Sequence, residues 1–147
     1  MKNYLGAIVW ALLLLHNAAM AKEVTADILV KGSTSWDGGT IAYPQGKAEL
    51  IVQKITVSPG DKEISLAMHC HTIPLAAYVT KGSLKVVKAN GEEKMFKAGD
   101  AFIEVMKTWH KGVFNEEAEL IVFYAGEKDV PVSTKKDGSA DLIKLCN

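Results

Sequence analysis

From Glu49 to Ala125 the chain is a succession of short apolar runs, each cut off by a turn signal. No stretch keeps a helical period over three turns. Leu50 to Val57 (LIVQKITV) is β-branched and apolar and reads as a strand, turned by Ser58-Pro59-Gly60. Ile64 to His71 reads as the next strand, broken off by Pro74, and Leu75 to Thr80 as another, closed by Lys81-Gly82. Leu84 to Val87 leads into Asn90-Gly91, where both residues tolerate positive φ, and Lys94 to Lys97 returns as the second arm of a hairpin. Gly99-Asp100 turns into Ala101 to Val105, and Glu119 to Ala125 (ELIVFYA) is the last run. Short strands at this spacing predict an all-β sandwich or barrel, and 147 residues suit one domain.

The flanks read differently. Lys2 is followed by a nearly continuous apolar run, Tyr4 to Leu15, and then by Ala19-Met20-Ala21, a small-x-small cleavage pattern. Residues 1–21 are therefore expected to be a signal peptide, the mature chain to start at Lys22, and the protein to be periplasmic or secreted. The apolar run is short for a bilayer span, so no membrane attachment is expected after cleavage. Residues 22–46 hold an edge strand, Glu23 to Val30, and a long Gly/Ser/Thr/Pro-rich loop, Lys31 to Gly46. Trp36 and Tyr43 in that loop either pin it to the core or line a binding mouth. The strand-rich body is 47–125, and 126–147 reads as a loop-like tail.

Charge excludes some partners. Basic and acidic residues number 17 each, so neither nucleic acid nor an anionic membrane is implied. Every basic residue is a lysine. Without arginine the bidentate fork that clamps carboxylates and phosphates is missing, which weighs against a multi-anionic substrate. Cys70 and Cys146 pair in an oxidising compartment if they are close enough, or else remain a small buried hydrophobe and a tail thiol.

The histidines carry the chemistry. His16 falls in the expected signal peptide; the other three are His69, His71 and His110. On a strand, His69 and His71 project to one face about 7 Å apart and can share one metal. Ser65 and Ala67 leave room on that face. Leu66, Met68 and Cys70 project the other way. This takes Cys70 out of the ligand set and leaves an apolar outer face that a strand from a second subunit would cover, suggesting a homodimer. With all three histidines committed, no Ser/His/Asp nucleophile set can be assigned, and no phosphate-cradling Gly loop opens a helix.

Pro59-Gly60, then His69-x-His71, then Tyr78-Val79-x-x-Gly82 resembles the first motif of the cupins. Gly99-Asp100, an apolar strand and His110 resemble the second, and the short hairpin through Asn90-Gly91 resembles the spacer of small single-domain microbial members. The resemblance covers about residues 47 to 125. It implies a small antiparallel jelly-roll β-barrel with a divalent metal inside, held by His69, His71 and His110. The pattern has departures. The first motif's usual glutamate is replaced at Leu75 and Ala76, the second motif's usual Pro and Gly are Val105 and Lys107, and its terminal Asn is displaced to Asn115. Glu104 stands where the resemblance implies an inward position. A buried carboxylate needs a partner, so Glu104 is a candidate fourth ligand or a catalytic base beside the metal.

Three histidines leave coordination positions open for substrate. Imidazole suits Zn, Cu, Fe and Ni, and a carboxylate adds Mn. Tyr78 and Trp109 either line the cavity or pack in the core, and one of Gln53 and Lys54 should point inward. Three functions remain: a small-molecule dioxygenase, isomerase or lyase; a non-catalytic module that holds a metal or small ligand; and a metal-free structural protein. The substrate is not legible.

Overall fold

The computed structural model describes residues 23–58, 60 and 62–146. The expected signal peptide, 1–21, lies outside them. The strands are β1 (Ala48–Val57), β2 (Ile64–Ser65), β3 (His69–Cys70), β4 (Leu75–Lys81), β5 (Ser83–Lys88), β6 (Glu93–Lys97), β7 (Ala101–Ile103), β8 (His110–Phe114), β9 (Ala118–Glu127) and β10 (Thr134–Lys135), followed by a one-turn helix, α1 (Ala140–Ile143).

Two antiparallel sheets face each other in jelly-roll fashion. One runs β1-β9-β4-β7; the other runs β10-β3-β8-β5-β6, with β2 also on β8. Period-2 alternation builds the core between them. Leu75, Ala77 and Val79 of β4 are buried, as are Leu120, Val122 and Tyr124 of β9, and they meet Leu84 and Val86 of β5 with Phe96, Phe102 and Phe114. Phe96 and Phe102 stack with ring centres 3.8 Å apart. The expected closed barrel is corrected to an open pair of sheets: among the described residues no ladder joins one sheet to the other.

Turn chemistry fixes the corners. Gly82 has φ +70°, and a Cβ there would run into the Glu117 carbonyl, so only glycine fits between β4 and β5. Gly91 (φ 89°) turns the β5–β6 hairpin, but Asn90 does not share its positive φ: the connection is a three-residue loop, residues 89–91, with Gly91 N–H donating to Lys88 O at 2.9 Å.

Four expectations need correction. Glu23 to Val30 forms no strand; it is extended and exposed, without a partner strand among the described residues. The single strand expected over 64–71 is two short pieces, β2 and β3, because the pairing with β8 lapses between Leu66, whose N–H still donates to Gly112 O at 2.9 Å, and His69. That break upsets the alternation, and Leu66, although still exposed, lines the open cavity beside Ala67. The tail is not all loop: β10 pairs with β3, and Cys146 forms a disulfide with Cys70 across a Cα separation of 6.3 Å. Cys70, fully buried, is thus covered by the chain's own C-terminus.

The 31–46 loop is pinned at Trp36. Its main-chain N–H donates to Ile103 O at 3.0 Å, and its ring meets Phe96 edge-on at 6.3 Å. Next to it, Asp37 pairs with Lys88 at 2.7 Å, with both side chains largely shielded from water. Burial opposes the Asp37 charge, but the Lys88 ammonium, the Ser35 hydroxyl and the Gly39 N–H outweigh it and lower the carboxyl's pKa. Tyr43 is exposed and does not share this anchor.

Candidate metal centre

Strand pairing brings the histidines together. His69 in β3 lies directly across from His110 in β8, and His71 follows immediately after β3. Ring centres are 4.5 Å apart for His69–His110, 5.0 Å for His69–His71 and 5.1 Å for His71–His110. One ligating atom from each lies within 4.8 Å of the others.

Main-chain carbonyls fix the tautomers. His69 Nδ1 donates to Ala67 O at 2.9 Å, His110 Nδ1 to Thr108 O at 2.8 Å, and His71 Nδ1 to Val132 O at 2.6 Å. A carbonyl can only accept, so each Nδ1 carries the proton and each Nε2 keeps its lone pair. This is the arrangement by which outer partners orient metal-binding imidazoles. His110 Nε2 is buried and has no hydrogen-bond partner. Such an orphan is costly unless something binds its lone pair. Burial lowers the pKa of His69 and of His110. Burial, with His110 and His69 beside it, pulls His71 down to about 3. All three are thereby held neutral, the form that binds metal. Three convergent neutral nitrogens, one of them orphaned, fit a divalent transition metal.

The trio opens on a cavity of about 380 Å³. Its walls are mostly apolar, with Leu75, Val86, Phe102, Phe114, Leu120 and Val122 prominent; Gln53, Tyr124, Ser133 and Lys135 add polar groups. Glu104 also lines it and is 6% exposed, as the inward reading requires. Its Oε1 accepts from Trp36 Nε1 at 2.8 Å and from the Val105 N–H at 2.9 Å. Burial still raises its pKa above the ordinary value, against the pull of both donors. Glu104 is not part of the ligating cluster, which among the described residues is His69, His71 and His110.

Of the inward candidates on β1, Gln53 lines the cavity, while Lys54 pairs outside with Glu119 at 2.5 Å. Neither Tyr78 nor Trp109 is among the lining residues; Trp109 is buried, with the Lys136 ammonium 5.7 Å from its ring centre. Tyr124 was overlooked, although Leu120, Val122 and Tyr124 alternate on one face of ELIVFYA and the pattern could have revealed it. Val132 and Ser133 had no such signal, because it is the fold of the tail that brings them back to the site.

No protein-family model matches the sequence, and no curated protein does. Solved structures are similar in fold. A cupin-2 domain-containing protein from Shewanella frigidimarina is 16% identical, over 52% of this chain and 70% of that one, with a TM-score of 0.45. An RmlC-like cupin from the same organism is 22% identical, over 71% of this chain and 95% of that one, with a TM-score of 0.46. A DMSP lyase from Ruegeria pomeroyi is 11% identical, over 61% of this chain and 45% of that one, with a TM-score of 0.48. The match thus spans less than half of the lyase. These neighbours include proteins of the superfamily that the motif residues resemble. Likenesses this distant say nothing of activity, which is argued from the chain's own residues.

Proposed function

We propose that this chain is a cupin-type protein that binds one divalent transition metal through the Nε2 atoms of His69, His71 and His110 and offers it to a small molecule in the adjoining cavity. The observation that carries this reading is the orphaned His110 Nε2 beside two imidazoles of matching tautomer. A bound metal would supply Lewis-acid or oxygen-activating chemistry at its open positions. The chain's own residues do the rest. The apolar walls exclude water from a ligand seated there. Glu104, its Oε1 fixed by the Trp36 and Val105 N–H groups, lines the same cavity and is the group placed to exchange a proton with a ligand there. This arrangement favours a small-molecule lyase, isomerase or dioxygenase over simple sequestration, because a cavity of this size adjoins the nitrogens. A periplasmic or secreted location belongs to the same proposal and is supported by the Cys70–Cys146 disulfide.

Elemental analysis of the purified protein tests the reading. One transition metal per chain, lost in His110→Ala, is the expected result. Wild-type protein that takes up no metal from excess Zn, Fe, Mn, Ni or Cu would refute it. Oxygen uptake and product analysis with a panel of small acids then separate enzyme from binder.

A further inference from the structure

His71 is oriented from outside its own strand. His69 and His110 donate to carbonyls two residues back, Ala67 and Thr108. His71 instead donates to Val132, in the C-terminal segment. That segment then runs along the histidine strand itself, with Thr134 opposite Cys70 and Lys135 opposite His69. Val132, Ser133 and Lys135 form one wall of the cavity. Beyond β10 the chain returns through α1 to Cys146, whose sulfur is bonded to Cys70, the residue between the two histidines.

Its start is held by Val130 and Val132, partly buried against the core, and the Lys136 ammonium stands 5.7 Å from the Trp109 ring centre, but the rest of the segment has few ties. Its ladder with β3 is two residues long, α1 is four residues with none buried, and between 131 and 146 only Thr134 is buried. Elements this short do not sustain themselves. From β10 to Cys146 the covalent bond is therefore the strongest tie.

We propose that the Cys70–Cys146 disulfide is the clasp that completes the candidate metal centre. It holds the tail against β3, and through the Val132 carbonyl it sets the tautomer and ring orientation of His71. Val132 and Cys146 are positioning residues, not ligands. The effect on metal affinity rests on the metal-binding reading; the effect on His71 does not. A chain whose two thiols have not been oxidised has an incomplete site. A dithiol reductant opens a complete one: it delivers two electrons and two protons to the sulfur–sulfur bond, leaves as a cyclic disulfide, and returns Cys70 and Cys146 as thiols.

The test compares oxidised wild type, dithiol-reduced wild type and Cys146→Ser in two measurements. Nitrogen NMR of the metal-free imidazoles reports which ring nitrogen holds the proton. Breaking the disulfide should remove the protected Nδ1–H signal of His71 and leave those of His69 and His110 in place, since their partners are local. Cobalt(II) titration, followed by visible absorption, should show affinity falling by roughly 10–100-fold, as when an outer-shell partner is lost. An unchanged His71 signal overturns the proposal, as does an equal change at all three histidines, which would make the disulfide a general staple. Unchanged cobalt affinity overturns the claim that the clasp completes the site. If oxidised wild type takes up no cobalt, the metal-binding reading fails, while the His71 signal still decides the clasp.

Discussion

His69 and His110 are register partners, the pair that joins β3 to β8, so two of the three nitrogens are brought together by strand pairing. Removing either should abolish the site without unfolding the chain. His110→Ala should weaken metal binding by more than the ~10–100-fold typical of a lost outer-shell partner. Competition against a chelator of known affinity would measure this. Retention of wild-type affinity would mean that the metal sits elsewhere.

Acid should destabilise the metal-free protein in a defined window. His71 has a pKa of about 3 when folded and about 6.5 when unfolded. Between those values the unfolded chain binds a proton that the folded chain refuses, so the unfolded chain gains. The stabilisation is complete above about pH 6.5 and shrinks as pH falls towards 3, by up to ~1.4 kcal/mol per pH unit for this one group. Urea midpoints taken from pH 7 to pH 4 should fall accordingly. Saturating metal should raise them, since it binds only the folded chain.

Lys107 occupies the position where the resemblance implies glycine, and its φ is 55°. The backbone there is left-handed without the residue that favours it. Its N–H donates to the carbonyl of His71 at 2.7 Å, so the conformation serves the site. A left-handed L-residue costs roughly 1–2 kcal/mol, and glycine returns part of that as lost chain entropy. Lys107→Gly should therefore stabilise the protein by up to about 1 kcal/mol. Thermal unfolding would show it as a rise of a few degrees.

Trp36 donates one of the two hydrogen bonds that Glu104 Oε1 receives in a nearly dry setting. Trp36→Phe keeps most of the ring and removes the donor. It should cost about 1–3 kcal/mol. It should also raise the Glu104 pKa further, because the indole N–H favours the charged form. Infrared bands of the carboxyl group, followed across pH, would report the shift.

The sequence revealed what depends on local pattern. Alternation and turn residues located β1, β4, β5, β6, β7 and β9 to within a few residues of their bounds. Spacing and resemblance picked out all three histidines, and they do converge. What escaped depends on contacts distant in sequence. Glu23 to Val30 alternates like a strand, yet a strand needs a neighbour, and none lies beside it among the described residues. Leu66 would face outward on an unbroken strand, and the gap between β2 and β3 removes that condition. Cys146 gave no hint of its distance from Cys70, and without that contact neither β10 nor the Val132 carbonyl could be placed at the site.

The most direct measurement is anomalous diffraction from crystals of the oxidised protein equilibrated with zinc or cobalt. A single peak is expected among the three histidines, about 2.0–2.1 Å from each Nε2. It should open on the cavity that Glu104 lines. No peak there at saturating metal, or a metal held through Nδ1 atoms or at another place on the chain, would contradict the account.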